Sequence, residues 1–172
     1  MEVDARWFHP GSTFIAGATA SGKTHILNSI LQEKDILFKS PSEKKIENII
    51  LCYAAWQDFY TQWQNQGIIS KSIQGFPSID NLQEIFTQNK SRGGTILILD
   101  DLVPLMTKHD IDSLHLLLSV TSHHSNVSII FIGHNLFHRN MRECSLQYHR
   151  YIITNNFRDS NQIALQIGRA HV

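Results

Sequence analysis

The octapeptide from Gly17 to Thr24, GATASGKT, has the composition and spacing of a loop that binds phosphate. Gly17 and Gly22 allow the chain to turn tightly, so that successive backbone amides point toward one anion at the start of a helix. Lys23 supplies a mobile positive charge for the outer phosphates of a nucleotide, and Thr24 supplies a hydroxyl group for Mg²⁺. The pattern therefore predicts a nucleotide site in which the phosphates are surrounded by Gly17, Ala18, Thr19, Ala20, Ser21, Gly22, Lys23 and Thr24.

A pair of carboxylates, Asp100 and Asp101, follows the apolar run TILIL. A carboxylate at the end of a buried strand is suited to hold the Mg²⁺ that accompanies a nucleotide, and we assign that role to Asp100. Asp101 is then placed to polarise the attacking water as a general base, which makes it a predicted catalytic residue together with Lys23. The alternative is that the two acids only cap the turn that follows the strand.

A third polar position, Asn135, follows the apolar run SIIFIG by two residues. A polar side chain there can sense the γ-phosphate of a bound nucleotide and orient water, and His134 is able to share that role. Asparagine after a strand is also a common turn residue. Together with the loop and the acids, Asn135 completes a predicted catalytic site that hydrolyses ATP with Mg²⁺.

These positions require strands and helices that bring them to one edge of a sheet. Strands buried on both faces of a parallel sheet are apolar without alternation, and runs of this kind occur at STFIAG, NIILCYA, TILILDD, NVSIIFIG and RYIITNN. KSIQGFP predicts a short strand, and helical spacing predicts helices at 21–32, 57–67, 78–90 and 110–124, with a further helix start at RDSNQIALQ. The predicted fold class is α/β: a P-loop NTPase whose mainly parallel sheet lies between helices on both faces as a three-layer sandwich.

The composition is that of an ordinary globular domain, with 172 residues, 42% hydrophobic and 17% charged. No apolar run approaches the roughly 18 residues of a membrane span, and no signal-like leader opens the chain. We therefore expect an intracellular, soluble protein without a membrane partner. Cys52 and Cys144 lie far apart, which argues against a disulfide framework or a zinc knuckle.

Charge is unevenly distributed along the chain. Residues 1–112 carry ten Lys and Arg against thirteen Asp and Glu, whereas residues 113–172 carry five arginines against two acids. Four of those arginines fall within twenty positions: Arg139, Arg142, Arg150 and Arg158. Two interpretations stay open, an ordinary solvated surface and an arginine-bearing surface for the phosphates of a nucleotide or nucleic acid.

The segment CYAAWQDFYTQW carries five aromatic residues around the end of the second predicted strand. Aromatic residues at helical spacing usually belong to a core. The alternatives are a contact between subunits and a surface on which nucleic-acid bases stack.

Taken in order, the segments of the chain resemble the viral genome-packaging ATPases of the FtsK–HerA type. The nearest resemblance is to those of Polinton/Maverick elements, with the poxvirus and virophage enzymes as relatives. It spans most of residues 12–164 and rests on FIAGATASGKT, IILCYAAWQDFY, ILILDDL, TSHHSNVSIIFIGHNLFHR and YIITNNFRDSNQIA. The loop and the acidic strand are common to a vast superfamily, whereas SHHSNVSIIFIGHNLFHR followed by NNFRDSNQIA is much more particular to this group.

The resemblance implies a P-loop NTPase fold of the additional-strand type, and a homo-oligomeric ring that hydrolyses ATP to move double-stranded DNA into a capsid. A capsid portal or vertex protein would be a further partner, at a viral assembly site in the cytoplasm or nucleus of a host. By position, the Walker A lysine and threonine, the Walker B acids and the sensor correspond to Lys23, Thr24, Asp100, Asp101 and Asn135. Such rings use an arginine from the neighbouring subunit, and the candidates for it are Arg139, Arg142 and Arg158.

Two loop positions depart from many relatives, which carry Pro and Gly where this chain has Ala18 and Ala20. A glycine at position 20 adopts a positive φ angle more easily than alanine does. Three other functions stay open: another P-loop DNA translocase or helicase-like ATPase, a nucleotide-binding ring subunit that does not hydrolyse, and a small-molecule kinase. The acid pair at the end of a strand favours hydrolysis over the kinase.

Residues 1–166 are predicted to form a single P-loop ATPase domain that is truncated at its C-terminus. The last six residues, IGRAHV at 167–172, abandon the family pattern in the middle of a predicted helix. They match what a common short-read sequencing adapter encodes in this reading frame, so we predict that they are not native. An intact genomic locus whose frame ends in these residues would contradict that prediction.

Overall fold

The computed structural model describes residues 5–40, 44–135 and 141–154. The strands in these ranges are β1 Trp7–Phe8, β2 Ser12–Ala16, β3 Phe38–Lys39, β4 Ile46–Tyr53, β5 Lys71–Gln74, β6 Gly94–Asp100, β7 Val127–Gly133 and β8 Arg150–Ile153. The α-helices are α1 Lys23–Gln32, α2 Lys34–Leu37, α3 Asp58–Asn65, α4 Ile79–Asn89, α5 Lys108–Leu116, α6 Ser122–Ser125 and α7 Arg142–Ser145. A 3₁₀ turn spans Val103–Leu105, and a π-helical segment spans Leu117–Thr121. Within these described ranges, no helix is both long and apolar enough to cross a membrane.

Six strands form one sheet in the order β5-β4-β6-β7-β2-β8, and every neighbouring pair runs parallel. β1 and β3 pair separately as a short parallel ribbon. β7 lies between β2, which precedes the phosphate loop, and β6, which ends in the acids. The prediction of an α/β fold with a mainly parallel sheet of the additional-strand type is therefore confirmed.

Helices cover both faces of the sheet. Successive residues of a strand point to opposite faces, so Phe14 and Ile15 of β2 enter different halves of the core. The half around Phe14 packs against α4, α5 and the π-helical segment, and the half around Ile15 packs against α1 and α3. β6 and β7 are buried along their whole lengths, which explains why their sequences are apolar without alternation. The three-layer arrangement expected from the sequence is present.

The structure differs from the sequence prediction at a few elements. Neither β1 nor β3 is predicted, because a strand of two residues carries no periodicity. The helix predicted at 110–124 begins earlier, since Thr107 and Asp110 form a capping box in which the Asp110 N–H donates to Thr107 Oγ1 at 3.2 Å. The predicted helix start at RDSNQIALQ and the tail at 167–172 lie outside the described residues.

One histidine, His9, is fully buried beside the sheet. Its Nδ1 atom lies 2.7 Å from the hydroxyl oxygen of Ser128 in β7. Its Nε2 atom lies against Gly94, where an added Cβ would approach to 2.4 Å. Burial lowers the pKa of His9 from 6.5 to about 4. The folded protein thus keeps this imidazole neutral under conditions in which the unfolded chain takes up a proton.

Because the unfolded chain binds the extra proton, the free energy of unfolding should fall as the pH falls from 6.5 to about 4. The full contribution of His9 is about 3 kcal/mol, since each unit of pKa corresponds to about 1.4 kcal/mol. Urea unfolding across this range should show a shallower pH dependence for His9→Asn than for the wild type. Equal slopes for the wild type and His9→Asn would contradict the prediction.

Candidate nucleotide and magnesium site

The phosphate loop, residues 17–24, follows β2 at the carboxyl edge of the sheet and includes the first two residues of α1. The Gly17 N–H donates to Gly133 O at 3.2 Å, which ties the start of the loop to the end of β7. Gly22 precedes α1 with φ 91°, a left-handed conformation that glycine adopts readily. The first N–H groups of α1 have no partner within the helix, so they can meet an anion at this point.

Ala20 also has a positive φ, of 60°, although it carries a side chain. This agrees with the sequence-based expectation that glycine would be easier at this position. The left-handed conformation costs an L-residue about 1 to 2 kcal/mol. The loop therefore holds backbone strain beside its lysine.

We expect Ala20→Gly to raise the free energy of unfolding by up to about 1 kcal/mol, because relief of strain outweighs the greater flexibility of glycine in the unfolded chain. Ala18→Gly is the matched control, because Ala18 lies in the same loop without a positive φ. In the control, added flexibility alone should lower stability. Thermal and urea unfolding would measure both variants. A loss of stability in Ala20→Gly as large as in Ala18→Gly would show that position 20 is not strained.

Two hydroxyl groups join the loop to Thr154, the residue that follows β8. Ser21 Oγ and Thr154 Oγ1 lie 2.5 Å apart, and Thr154 also donates to Ala16 O, through its N–H at 2.8 Å and its hydroxyl group at 3.2 Å. A Cβ atom on Gly17 would come within 1.7 Å of Thr154 Oγ1, so the contact requires glycine at position 17. Sequence reasoning misses Thr154 as part of the site, and its only local signal is its place within the predicted strand RYIITNN.

Lys23 is held against its own loop. Its Nζ atom donates to the carbonyl oxygens of Gly17 and Ala18, both at 2.7 Å, and lies 3.5 Å from Nδ1 of His134. Burial lowers the pKa of Lys23, and the charges of Asp100 and Asp101 oppose this shift. The ammonium group can reach the outer phosphates of a nucleotide by exchanging its carbonyl contacts for phosphate oxygens.

Asp100, the last residue of β6, is buried, with 6% of its surface exposed. Its Oδ2 atom accepts a hydrogen bond from the hydroxyl group of Tyr60 in α3. Burial raises the pKa of Asp100, while the Tyr60 hydrogen bond and the charge of Lys23 act to lower it. Burial also raises the pKa of Tyr60, so its hydroxyl group keeps its proton and remains the donor. Tyr60 is a second residue that the motifs do not indicate, because it lies 40 positions from Asp100 along the chain.

Thr24 and Asp100 line the same cleft. Hydroxyl and carboxylate oxygens are ligands that Mg²⁺ accepts, and this ion commonly completes its shell with waters and phosphate oxygens. The two side chains therefore fit a magnesium ion that arrives with a nucleotide. When bound, such an ion neutralises charge that develops on the phosphates.

Asp101 follows the last residue of β6, and its backbone is in the left-handed conformation, with φ 54°. Its N–H donates to Ile132 O at 3.0 Å, and its carboxylate lies 3.1 Å from Nε2 of His134. A neutral His134 would donate through Nε2 to Asp101 and accept through Nδ1 from Lys23. The two acids, adjacent in sequence, thus occupy different surroundings: Asp100 is buried and Asp101 is partly exposed.

Of the described residues in the loop after β7, His134 lines the cleft, while Asn135 is exposed at the next position. The sensor role of Asn135 stays a prediction. Arg142 begins α7, and the other two arginine-finger candidates, Arg139 and Arg158, lie outside the described residues. The choice among the three arginines therefore also stays a prediction.

Arg150, from the same basic stretch, makes its contacts within the fold. Its Nε atom donates to Thr13 Oγ1 at 3.1 Å, and its guanidinium carbon lies 4.7 Å from the centre of the Trp7 ring. These contacts join β8 to β2 and to the ribbon. The interpretation of Arg150 as part of a phosphate-binding surface is therefore not supported by its geometry.

The aromatic residues after β4 pack mainly into the core. Tyr60 and Trp63 are buried, and the Trp63 indole N–H donates to Asn28 Oδ1 at 2.8 Å. Trp56 is 40% exposed, although its ring lies 5.1 Å from that of Tyr53 and 5.4 Å from that of Tyr60. The prediction that these aromatic residues belong to the core is therefore met by Tyr60 and Trp63. The two alternatives, a contact between subunits and a surface for stacked bases, stay open for Trp56.

Comparison with solved structures bears on the fold. The genome packaging NTPase B204 of Sulfolobus turreted icosahedral virus 2, in complex with ATP-γ-S, is similar with a TM-score of 0.57 and 15% identity. The match covers 91% of this chain and 82% of that protein. The fold is that of the P-loop NTPases. No protein-family model and no curated protein matches the sequence.

Two cytoplasmic domains show the same architecture within longer chains. The type VII secretion ATPase EccC of Thermomonospora curvata has a TM-score of 0.59 and 9% identity, over 87% of this chain. The cytoplasmic domain of EssC has a TM-score of 0.55 and 12% identity, over 92% of this chain. The present chain spans 21% of the EccC chain and 34% of the EssC chain. At these identities the likeness establishes the fold alone.

Proposed function

We propose that this chain hydrolyses ATP with Mg²⁺. The observation that carries the proposal is the meeting of functional side chains on one cleft at the carboxyl edge of the sheet: Lys23, Thr24, Asp100, Asp101 and His134. Together they supply what phosphoryl transfer to water requires, namely positive charge for the phosphates, oxygen ligands for Mg²⁺ and a carboxylate beside the attacking water.

In this mechanism the loop amides and Lys23 hold the β- and γ-phosphates, and Thr24 and Asp100 would hold the Mg²⁺ that accompanies the nucleotide. The oxygen of a water molecule bonds to the γ-phosphorus, the bond to the β–γ bridging oxygen breaks, and ADP leaves. Asp101 accepts the proton that the water loses and passes it to solvent. His134 orients Asp101 through its Nε2 atom, at 3.1 Å.

We further propose that the chain works as a homo-oligomeric ring that moves double-stranded DNA into a viral capsid, with a portal or vertex protein as its partner. The resemblance to viral packaging ATPases over most of residues 12–164 supports this finer proposal. A fold match that covers 82% of a viral genome packaging NTPase supports it as well. The arginine that one subunit lends to the next would be Arg139, Arg142 or Arg158.

The motor proposal predicts an oligomer whose ATP hydrolysis is stimulated by double-stranded DNA. Phosphate release by the full chain would be measured with and without DNA, while sedimentation reports the oligomeric state. Hydrolysis by a strict monomer that ignores DNA would contradict the motor and leave the ATPase intact. Capsid-protein and maturation-protease genes beside the gene for this chain would support packaging in particular.

A second function, nucleotide binding without hydrolysis, is favoured by two features of the loop. Ala20 is strained at φ 60°, and Lys23 is engaged by loop carbonyls at 2.7 Å. Both features describe a loop that must rearrange before it holds a triphosphate productively. Binding of labelled ATP without release of phosphate would select this function over hydrolysis.

A further inference from the structure

Gln57 lies between β4 and α3 at the carboxyl edge of the sheet, and it lines the same cleft as Lys23, Asp100 and Asp101. Its backbone is extended, and its carbonyl oxygen accepts the N–H of Tyr60 at 2.9 Å, so the start of α3 fixes its position. Although it occupies the N-cap position, its side chain makes no cap hydrogen bond to the helix. The side-chain amide of Gln57 therefore lies at the cleft and does not cap α3.

A chain of hydrogen bonds orients this amide. The hydroxyl group of Tyr60 gives its single proton to Asp100, so it can only accept from Gln57. The partner on Gln57 is therefore the donor Nε2, which lies 3.4 Å from the Tyr60 oxygen. This assignment leaves Oε1, the acceptor end of the amide, for a ligand in the cleft.

The chemistry of the cleft indicates what that acceptor would meet. The oxygen of a water molecule that attacks phosphorus must point a lone pair at the phosphorus atom. Both hydrogens of that water then point elsewhere and are donated to other acceptors. Asp101 can accept one of them, although its Oδ2 atom already faces His134 at 3.1 Å. A neutral amide can accept the second hydrogen without repelling the phosphates as another carboxylate would.

We propose that Gln57 is a further catalytic residue that positions the attacking water, an assignment that rests on the proposed ATPase function. Oε1 of Gln57 accepts one hydrogen of the water, and Asp101 accepts the other. Only the hydrogen on Asp101 is transferred as the new P–O bond forms and the bond to ADP breaks. Gln57 itself neither gains nor loses a proton.

The first test compares Gln57→Ala with Gln64→Ala, which removes an exposed glutamine within α3. Loss of Gln57 should lower kcat by about 100-fold, a usual contribution of one positioned group to the transition state. The affinity for the β,γ-imido analogue of ATP and the Tm should stay close to wild-type values, because the Gln57 side chain is exposed and its hydrogen bond to the Tyr60 hydroxyl group is long, at 3.4 Å. Gln64→Ala should match the wild type in all three measurements.

The second test measures the affinity for ADP with aluminium fluoride, which mimics the phosphoryl group in transfer. Gln57→Ala should weaken this affinity by about tenfold or more while it spares the affinity for the imido analogue. A wild-type kcat in Gln57→Ala, or equal losses for the two ligands, would overturn the assignment and leave the ATPase function standing. A wild-type chain that binds the imido analogue but releases no phosphate would overturn the proposed function, and this assignment with it.

Discussion

Replacing Lys23 with alanine is expected to lower ATP hydrolysis by about 100-fold or more, the usual cost of removing one preorganised charged donor from such a site. Lys23 shares its cleft with Asp100 and Asp101. Without the ammonium group, the γ-phosphate would face two carboxylates and no side-chain cation from the loop. The affinity for ATP should fall more than the affinity for AMP, because Lys23 serves the outer phosphates.

Phosphate release and binding of the β,γ-imido analogue of ATP would measure these effects in the full chain. Lys90→Ala is the control, since Lys90 is an exposed lysine just after α4 and away from the cleft. Thermal unfolding should remain cooperative in both variants, because the Lys23 side chain contacts loop carbonyls rather than the core. Wild-type hydrolysis in Lys23→Ala would refute the assignment of this loop as the phosphate site.

The second large effect is expected for Asp100→Asn, which should lower kcat by about 100-fold or more and raise the Mg²⁺ concentration needed for activity. Asparagine has nearly the same shape as aspartate and can still accept the hydrogen bond from Tyr60. The substitution therefore removes the negative charge while it largely preserves the local structure. Titration of hydrolysis with Mg²⁺ would measure the effect. Asp112→Asn, at an exposed aspartate of α5, should keep the wild-type Mg²⁺ dependence.

The same substitution should leave the free energy of unfolding unchanged or raise it near neutral pH. Burial raises the pKa of Asp100, so the folded protein holds this proton more tightly than the unfolded chain does. In the wild type the contribution of Asp100 to stability is therefore present in acid and is lost as the pH rises through the raised pKa. Asp100→Asn has no such loss, and its stability relative to the wild type should increase from acid to neutral buffer.

A loss of activity together with a gain of stability would separate a functional role of Asp100 from a structural one. Denaturant unfolding of the wild type and Asp100→Asn at several pH values would measure the difference. If Asp100→Asn were the less stable protein at neutral pH, the carboxylate would be stabilising the fold through Tyr60 and Lys23. That outcome would contradict the dominant effect of burial.

Much of the fold could be predicted because it depends on patterns that are local in the sequence. The phosphate loop is set by glycines at positions such as Gly22, whose φ of 91° suits glycine, and by the lysine and threonine that follow. The apolar runs of β6 and β7 indicate burial on both faces of a sheet, because only such strands lack polar alternation. The helix predicted at 78–90 is present as α4, which follows Ser78, whose side chain accepts the Asn81 N–H. The two-residue strands carry no such pattern.

The contacts that complete the site could not be predicted from these patterns. Tyr60 meets Asp100 across 40 positions, His134 meets Lys23 across 111, and Thr154 meets Ser21 across 133. Nothing in the spacing of these residues marks them as partners. The orientation of the Gln57 amide also depends on the Tyr60 hydroxyl group. A helical pattern in the sequence predicts which face of α3 carries Tyr60, but it does not predict which residues that side chain contacts.

The sequence by itself determined which chemical groups the protein has and which strand or loop carries each of them. The tertiary structure decided which of these groups meet, through the strand order that sets β7 between β2 and β6. A parallel sheet collects the carboxyl ends of all its strands at one edge, whatever their separation along the chain. Contacts at that edge therefore depend on which strands are neighbours, and local sequence patterns do not specify neighbours.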